Sequence, residues 1–388
     1  MQLLKNHFTP LTYFYFFLSF LVNFFRFMTI PFLTIYLTNK VALPPEQVGL
    51  IIGLPALIQL IFSLFLSNIA DRISFKQAIS ISLILPALGL IGYITAVTLP
   101  FLLIASIISG IGWSIYNPLL MAALSQATKD TDLDAAMNIN YWLVNLGGVL
   151  GPVVGALLGG GSSKLPFILF SLVLFLVALS VLLFFPKKLT SSESIKESSS
   201  IFYRFKTLFF DKKALSLFFA FFCIFFIEAQ YETSFALYLN DYFHADGAKI
   251  IAAMLTTMTL SIIIGQPLLT MILKKVANTT IFFAGTVIYI LAILLFFQGK
   301  SISAFLFAAI FFAVGELLIA PKLQVQTAKI APQNSQTTYF AFVTMGGNLA
   351  YFIGPTIGNY FVSSNITILI VLLITTTICL FLLAITKK

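Results

Sequence analysis

The chain has 388 residues, 60% of them hydrophobic and only 9% charged, with a formal net charge of +9. Soluble domains carry about 25% charged residues, so water is excluded as the main solvent of the folded chain. The two cysteines and two histidines exclude a disulfide scaffold, and neither His7 nor His244 has neighbours at metal-ligand spacing. No metal and no cofactor are expected.

A helix that crosses a bilayer needs about 20 apolar residues. Twelve such runs follow one another, near 11–38, 46–68, 76–97, 99–124, 134–159, 165–186, 214–240, 247–274, 279–298, 302–322, 335–361 and 366–386. They are apolar all round, which favours helices over the alternating strands of a barrel. The expected fold class is an all-α integral membrane protein with twelve transmembrane helices in two pseudo-symmetric six-helix bundles. The first run is long and preceded by a short polar start, so no cleavable signal is expected. Cys223 and Cys379 both fall inside runs and are expected to pack rather than pair.

The first run carries Ser19, Asn23 and Arg26 on one helical face. The loop after the second run reads SNIADRISFK (67–76), with Asp71, Arg72 and Lys76. Ser106, Ser109, Trp113, Tyr116 and Asn117 crowd one side of the fourth run, and Tyr141, Trp142 and Asn145 lie on the fifth. The fifth run continues NLGGVLGPVVG (145–155), in which Gly147, Gly151 and Gly155 form a stripe beside Pro152. Small residues spaced by four let membrane helices approach closely, and a proline removes a backbone hydrogen bond and permits a bend.

The long polar segment 187–213 begins KKLTSSESIKESSS, a flexible linker by its serine content. Its continuation places Phe202, Phe205 and Phe209 beside basic residues, the pattern of a helix lying on a membrane surface. The expected organisation is an N-terminal bundle 1–186, a linker 187–213 and a C-terminal bundle 214–388. Beyond the linker, Glu228 and Glu232 stand one turn apart in the seventh run, Gln266 in the eighth and Glu316 in the tenth. The eleventh run holds Asn348, Tyr351, Gly354, Pro355 and Gly358 within NLAYFIGPTIG (348–358).

Basic charge invites a nucleic-acid reading, but membrane topology explains it better. With the N-terminus in the cytoplasm, 17 of the 22 Lys and Arg residues fall in cytoplasmic segments, 4 fall outside and Arg26 lies within a span. That bias follows the positive-inside rule. It places the protein in the cytoplasmic (inner) membrane as a multi-pass chain with both termini in the cytoplasm, and no nucleic-acid partner is expected.

The halves repeat. At an offset of 203 residues Gly112 matches Gly315, Pro118 matches Pro321, and the two Asn-Leu phrases coincide. At 202, TIYLTN (34–39) lies over the FALYLND segment (235–241), and Arg26 falls on Glu228. Two six-span halves related by repetition point to a transporter that rocks around a central site.

Over essentially its whole length the chain resembles the major facilitator superfamily. SNIADRISFK is similar to the superfamily's loop motif G-x-L-A-D-R-x-G-R-K: Asp71, Arg72 and Lys76 match, while Ser67 and Ser74 replace glycines. GGVLGPVVGA (147–156) resembles the fifth-span motif of proton-coupled antiporters, and PFLTIYL (31–37) the first span of twelve-span drug:proton antiporters. Ser106, four residues before Gly110, stands where those antiporters carry an Arg. The resemblance implies that spans 1, 4, 7 and 10 line a cavity, so that Arg26, Glu228, Glu232 and Glu316 would all sit on cavity helices. It implies that the 67–76 loop latches one state, and that spans 5 and 11 lie at the seam between halves.

Intramembrane ionisable groups cost several kcal/mol and are functional candidates by default. Arg26 with Glu228 is either a switchable pair, in which Glu228 exchanges a proton, or a permanent bridge between spans 1 and 7. Glu316 is either a second proton site or a partner of Lys322. The polar and aromatic residues named on spans 1, 4, 5, 8 and 11 are expected to line the cavity. The function expected is secondary active transport of a small organic molecule by alternating access, as proton-coupled efflux by a monomer driven by the proton gradient. The alternative is symport, or transport of a specific organic anion held by Arg26. No nucleophile–base set and no nucleotide-binding loop are found, so an enzyme is not expected.

Overall fold

A computed structural model describes residues 8–63, 75–184, 208–273, 276–330 and 336–385. In chain order the helices are α1 (Pro10–Asn39), α2 (Pro45–Ser63), α3 (Phe75–Thr95), α4 (Leu99–Ala127), α5 (Leu133–Leu157), α6 (Leu165–Phe184), α7 (Lys212–Glu232), α8 (Ser234–Phe243), α9 (Gly247–Ile272), α10 (Asn278–Gln298), α11 (Ile302–Ile330), α12 (Gln336–Ser364) and α13 (Ile366–Ile385). Among the described residues, twelve candidate spans are long and apolar enough to cross a membrane, with α7 and α8 together forming the seventh, Lys212–Phe243. At 1.5 Å per residue, about 20 residues cover the roughly 30 Å hydrocarbon core. The backbone bonds stay inside each helix, as a medium without water requires.

The helix ends are set by local chemistry. Thr9 caps α1 by accepting the Thr12 amide at 3.1 Å, and Pro10 occupies the first turn, where an amide would have no partner. The hydroxyls of Thr9 and Thr12 also donate to the Ala127 carbonyl at 3.1 and 2.8 Å, tying the start of α1 to the end of α4. Asp211 caps α7 through the amides of Lys213 and Ala214. Its other oxygen accepts the Tyr339 hydroxyl at 2.9 Å, fastening the start of α7 to that of α12.

The chain forms two compact units, 1–41 with 58–195, and 42–57 with 196–388. Segment 42–57 joins the second because Gly49 and Gly53 bring α2 against the backbone of Phe352 and Pro355 in α12. Within the first unit α1 packs on α5, α3 on α4 and α3 on α6; within the second, α7 packs on α12, α10 on α11 and α10 on α13. These pairs are equivalent under the sequence repeat, so the duplication is one of packing plan as well as of phrase.

The glycine stripes are the surfaces through which each unit makes its first pairing. A Cβ on Gly147, Gly151 or Gly155 would meet the α1 backbone at Phe24 and Met28 or the ring of Phe32. A Cβ on Gly354 or Gly358 would meet Ala229, Gln230 and Ser234 of the seventh span. This corrects the expectation that these glycines form the seam between halves. Each stripe faces its own unit, and close helix approach there explains why glycine is used.

The seventh span differs from its expected continuous form. It breaks at Thr233, whose φ of −124° and ψ of −69° leave the helical range. Neither Pro nor Gly is present; instead the Thr233 hydroxyl donates to the Ala229 carbonyl at 2.6 Å. Hydroxyls bonding back into their own helix are a known cause of bends. Asp71, Arg72, Phe202 and Phe205 lie outside the described residues. Of the expected surface helix, residues 208–210 are helical, and Phe209 sits edge-on to Phe342 at 4.9 Å.

Candidate functional site

In the second unit, α7 presents Glu228, Tyr231 and Glu232 within about one turn of helix. Glu316 projects from α11, Tyr289 from α10 and Tyr351 from α12. Glu228 lies within electrostatic reach of Glu316 and Glu232, and Glu316 of Glu232. Tyr289 is within reach of Glu228, Glu316 and Tyr351. The three carboxylates are half-buried, whereas Tyr231 and Tyr289 are buried. Close approach of α10 and α11 builds this corner: a Cβ on Gly315 would press on the ring of Tyr289 at 3.0 Å, and one on Gly285 would meet Ile319 at 2.6 Å.

Aromatic rings frame this corner. Tyr231 lies 4.6 Å from Phe312, ring centre to ring centre, and donates its hydroxyl to the Met254 carbonyl at 3.2 Å. Tyr289 stands edge-on to Phe312 at 5.1 Å and 87°. Tyr351 packs 5.9 Å from Phe225.

Directly after Glu228 the seventh span carries a buried polar knot. Gln230 donates from Nε2 to the Gly354 carbonyl at 3.0 Å, crossing from α7 to α12. The Ser234 hydroxyl lies 2.7 Å from Gln230 Oε1 and 3.0 Å from the Asn359 side-chain amide. All three side chains are 0% exposed. Buried polar groups in an apolar medium need partners, and Gly354 and Gly358 leave the space in which Gln230 and Ser234 find theirs. Gly358 is the sharper case: its Cβ would fall on Gln230 Oε1 and Ser234 Oγ. The knot holds the α7–α8 break against α12.

The first unit supplies Arg26, exposed on α1, with Asn23 half-buried and Ser19 buried on the same side. Asn23 donates to the Ser19 carbonyl at 2.8 Å. Trp113 stands edge-on to Tyr116 at 5.6 Å and lies 6.3 Å from Phe170, which stacks on Phe25 at 5.9 Å. These rings join α1, α4 and α6. Arg26 and Glu228 belong to different units.

The remaining candidates separate by exposure. Ser106 and Ser109 are buried between α3 and α4, where Ser106 bonds Tyr93 at 3.0 Å and Ser109 abuts Gly89. They pack that helix pair rather than line an open face, because Gly89 and Gly92 let α3 close onto α4. Tyr116 is likewise buried, while Asn117, Tyr141 and Trp142 are exposed. Asn145, half-buried, donates to the Tyr141 carbonyl at 2.9 Å. Gln266, Asn348 and Tyr351 are half-buried on α9 and α12, and Lys76 is half-buried at the start of α3.

Tyr231, Tyr289, Gln230, Ser234 and Asn359 were not singled out in the sequence. The amides and Ser234 carry a legible signal, being strongly polar side chains inside apolar spans. The tyrosines carry none, because aromatic residues are 15% of this chain.

The sequence matches the Major Facilitator Superfamily over residues 15–355. The chain belongs to this superfamily. Among relatives, it is 24% identical to the uncharacterized MFS-type transporter YqjV of Bacillus subtilis (strain 168), over 86% of this chain and 81% of YqjV. It is 27% identical to the quinolone resistance protein NorA of Staphylococcus aureus (strain Mu50), over 42% of this chain and 43% of NorA. Among solved structures, a point mutant of the nucleoside transporter NupG superposes with a TM-score of 0.82, covering 98% of this chain and 100% of that one at 14% identity. That likeness is one of fold. The superfamily member described here is thus a multi-pass membrane transporter of the secondary type, not an enzyme. A small-molecule substrate and a lipid bilayer are its implied partners.

Proposed function

We propose that the protein exports small amphipathic organic molecules across the cytoplasmic membrane in exchange for protons. The observation that carries this reading is the placement of Glu228 and Glu316, on the seventh and tenth membrane-spanning segments, within electrostatic reach of each other. Carboxylates at such depth are characteristic of proton relays. The antiporter-like phrase of α5 and the partial similarity to NorA favour export. Both termini lie in the cytoplasm in this reading, as the distribution of Lys and Arg requires. The proton gradient is the energy source, and the monomer is the working unit.

A transport assay in proteoliposomes tests this, with ethidium, norfloxacin and benzoate as probes. An imposed pH gradient, acidic inside, is expected to drive accumulation of ethidium or norfloxacin, and an ionophore that collapses the gradient should abolish it. Accumulation indifferent to the gradient would refute proton coupling. A second reading rests on Arg26, a fixed cation exposed on α1. If the substrate is an organic anion, benzoate alone is carried, and Arg26→Ala loses that transport.

A further inference from the structure

Tyr289 presents a problem that the proton pair alone does not solve. Its side chain is 0% exposed, yet its hydroxyl has no hydrogen-bond partner among the described residues. A buried hydroxyl without a partner is costly, and a phenylalanine would avoid that cost in the same shape. Phenylalanine is what the chain uses around it, at Phe282, Phe296 and Phe312. The ring itself is held by Phe312 edge-on and by Gly315 beneath it. These contacts set the place of the ring, so any partner for the hydroxyl has to come to it.

Few groups are available to do so. From α7 the titratable groups near the hydroxyl's corner are Glu228, Tyr231 and Glu232; from α11, Glu316; from α12, Tyr351. The described residues of α9 that pack on α11 there are apolar, Met258, Ile262 and Leu269. Tyr231 already donates to Met254. Glu228 and Glu316 both lie within electrostatic reach of Tyr289, are half-buried, and have flexible side chains that can swing by a rotamer.

We infer that Tyr289 is a positioning residue for the two carboxylates, its hydroxyl donating a hydrogen bond to whichever of Glu228 and Glu316 is ionised. This rests on the proton-coupled reading and adds a device to it. The phenol keeps its own proton throughout. When the transported proton moves from Glu316 to Glu228, the donated bond moves from Glu228 to Glu316, so the charge left behind is always met by a donor. Bonds to an ionised acceptor are roughly twice as strong as neutral ones, which gives the hydroxyl a reason to be buried there.

Infrared spectra of the purified protein across pH test the inference. Glu228→Gln and Glu316→Gln identify the carboxyl and carboxylate stretches of each residue. Tyr289→Phe is expected to displace at least one of these stretches, to leave the melting midpoint within a few degrees of wild type, and to slow probe-driven proton movement about tenfold. Carboxyl and carboxylate stretches at unchanged positions in Tyr289→Phe would overturn the inference. Should that variant not fold, the same bond is read in wild-type protein carrying isotope-labelled tyrosine, through a tyrosine C–O stretch that shifts in the Glu→Gln variants. A displaced stretch in a protein that moves no protons would keep the hydrogen bond and refute the coupling reading instead, so the two failures are separable.

Discussion

The first and seventh spans occupy equivalent places in the repeat, and they solve one packing problem with opposite chemistry. Both lie against a glycine stripe, on α5 in the first unit and on α12 in the second. At an offset of 202, Met28 corresponds to Gln230 and Phe32 to Ser234. The first unit meets its stripe with the backbone of Phe24 and Met28 and the ring of Phe32; the second meets it with the hydrogen-bonded knot of Gln230, Ser234 and Asn359. By the same offset Pro31 corresponds to Thr233. Both copies are weakened at that register, but α1 stays continuous through Pro31 while the seventh span divides at Thr233. The unit with the polar knot and the broken helix is also the one that holds the carboxylates. Duplication fixed the packing plan, and divergence placed polar chemistry in one copy.

The largest expected difference between the copies comes from Gly151 and Gly354, which are register-equivalent. A Cβ on Gly151 meets the Phe24 carbonyl oxygen at 2.5 Å and the Met28 amide nitrogen at 2.9 Å, both backbone atoms. A Cβ on Gly354 meets only side chains, Ala229 at 3.0 Å and Gln230 at 3.1 Å. The Gln230 amide can turn aside and the Ala229 methyl needs to give by only a few tenths of an ångström, whereas the backbone atoms facing Gly151 are closer and cannot rotate away. Gly151→Leu should therefore lose transport and most folded protein by size-exclusion chromatography, while Gly354→Leu stays within the usual overpacking cost of about 1–3 kcal/mol. Equal loss from both would break the comparison.

Gln230→Leu follows, since it takes away the side-chain donor to the Gly354 carbonyl and one of the two acceptors facing the Ser234 hydroxyl in a buried core. The expected cost is about 1–3 kcal/mol, read as a lower melting midpoint. Met28→Leu at the equivalent place should cost less than about 1.5 kcal/mol. A Gln230→Leu variant as stable as Met28→Leu would show that the knot contributes nothing. The smallest effect belongs to Thr233→Ala, which removes one hydroxyl bond within its own helix. It should shift stability by no more than about 1 kcal/mol, with the break held by Gln230 and Ser234; a far larger loss would assign the break to Thr233 itself.

The twelve spans were legible because each is apolar all round and bounded by short polar loops, and the repeat was legible because Gly-Pro phrases are rare in such a background. Glu228 and Glu316 were legible for the same reason, as charges where charge is costly. The break and Tyr289 were not, and although Gln230, Ser234 and Asn359 stand out as polar residues in apolar spans, their meeting in one knot was not legible either. The break lacks Pro or Gly, and the hydroxyl bond and polar knot that accompany it form only once the helices have packed. Ser106 and Ser109 were misread as lining residues because helical spacing shows that they share a side, not that Gly89 and Gly92 bring α3 onto that side.

The account turns on Glu228 as a carrier of the coupled proton. Its most direct test is proton movement in proteoliposomes with a trapped pH dye, recorded on addition of ethidium or norfloxacin to wild type and Glu228→Gln. The account predicts protons moving opposite to the probe in wild type and no such movement in Glu228→Gln, with probe binding retained. Undiminished proton movement in Glu228→Gln would contradict it.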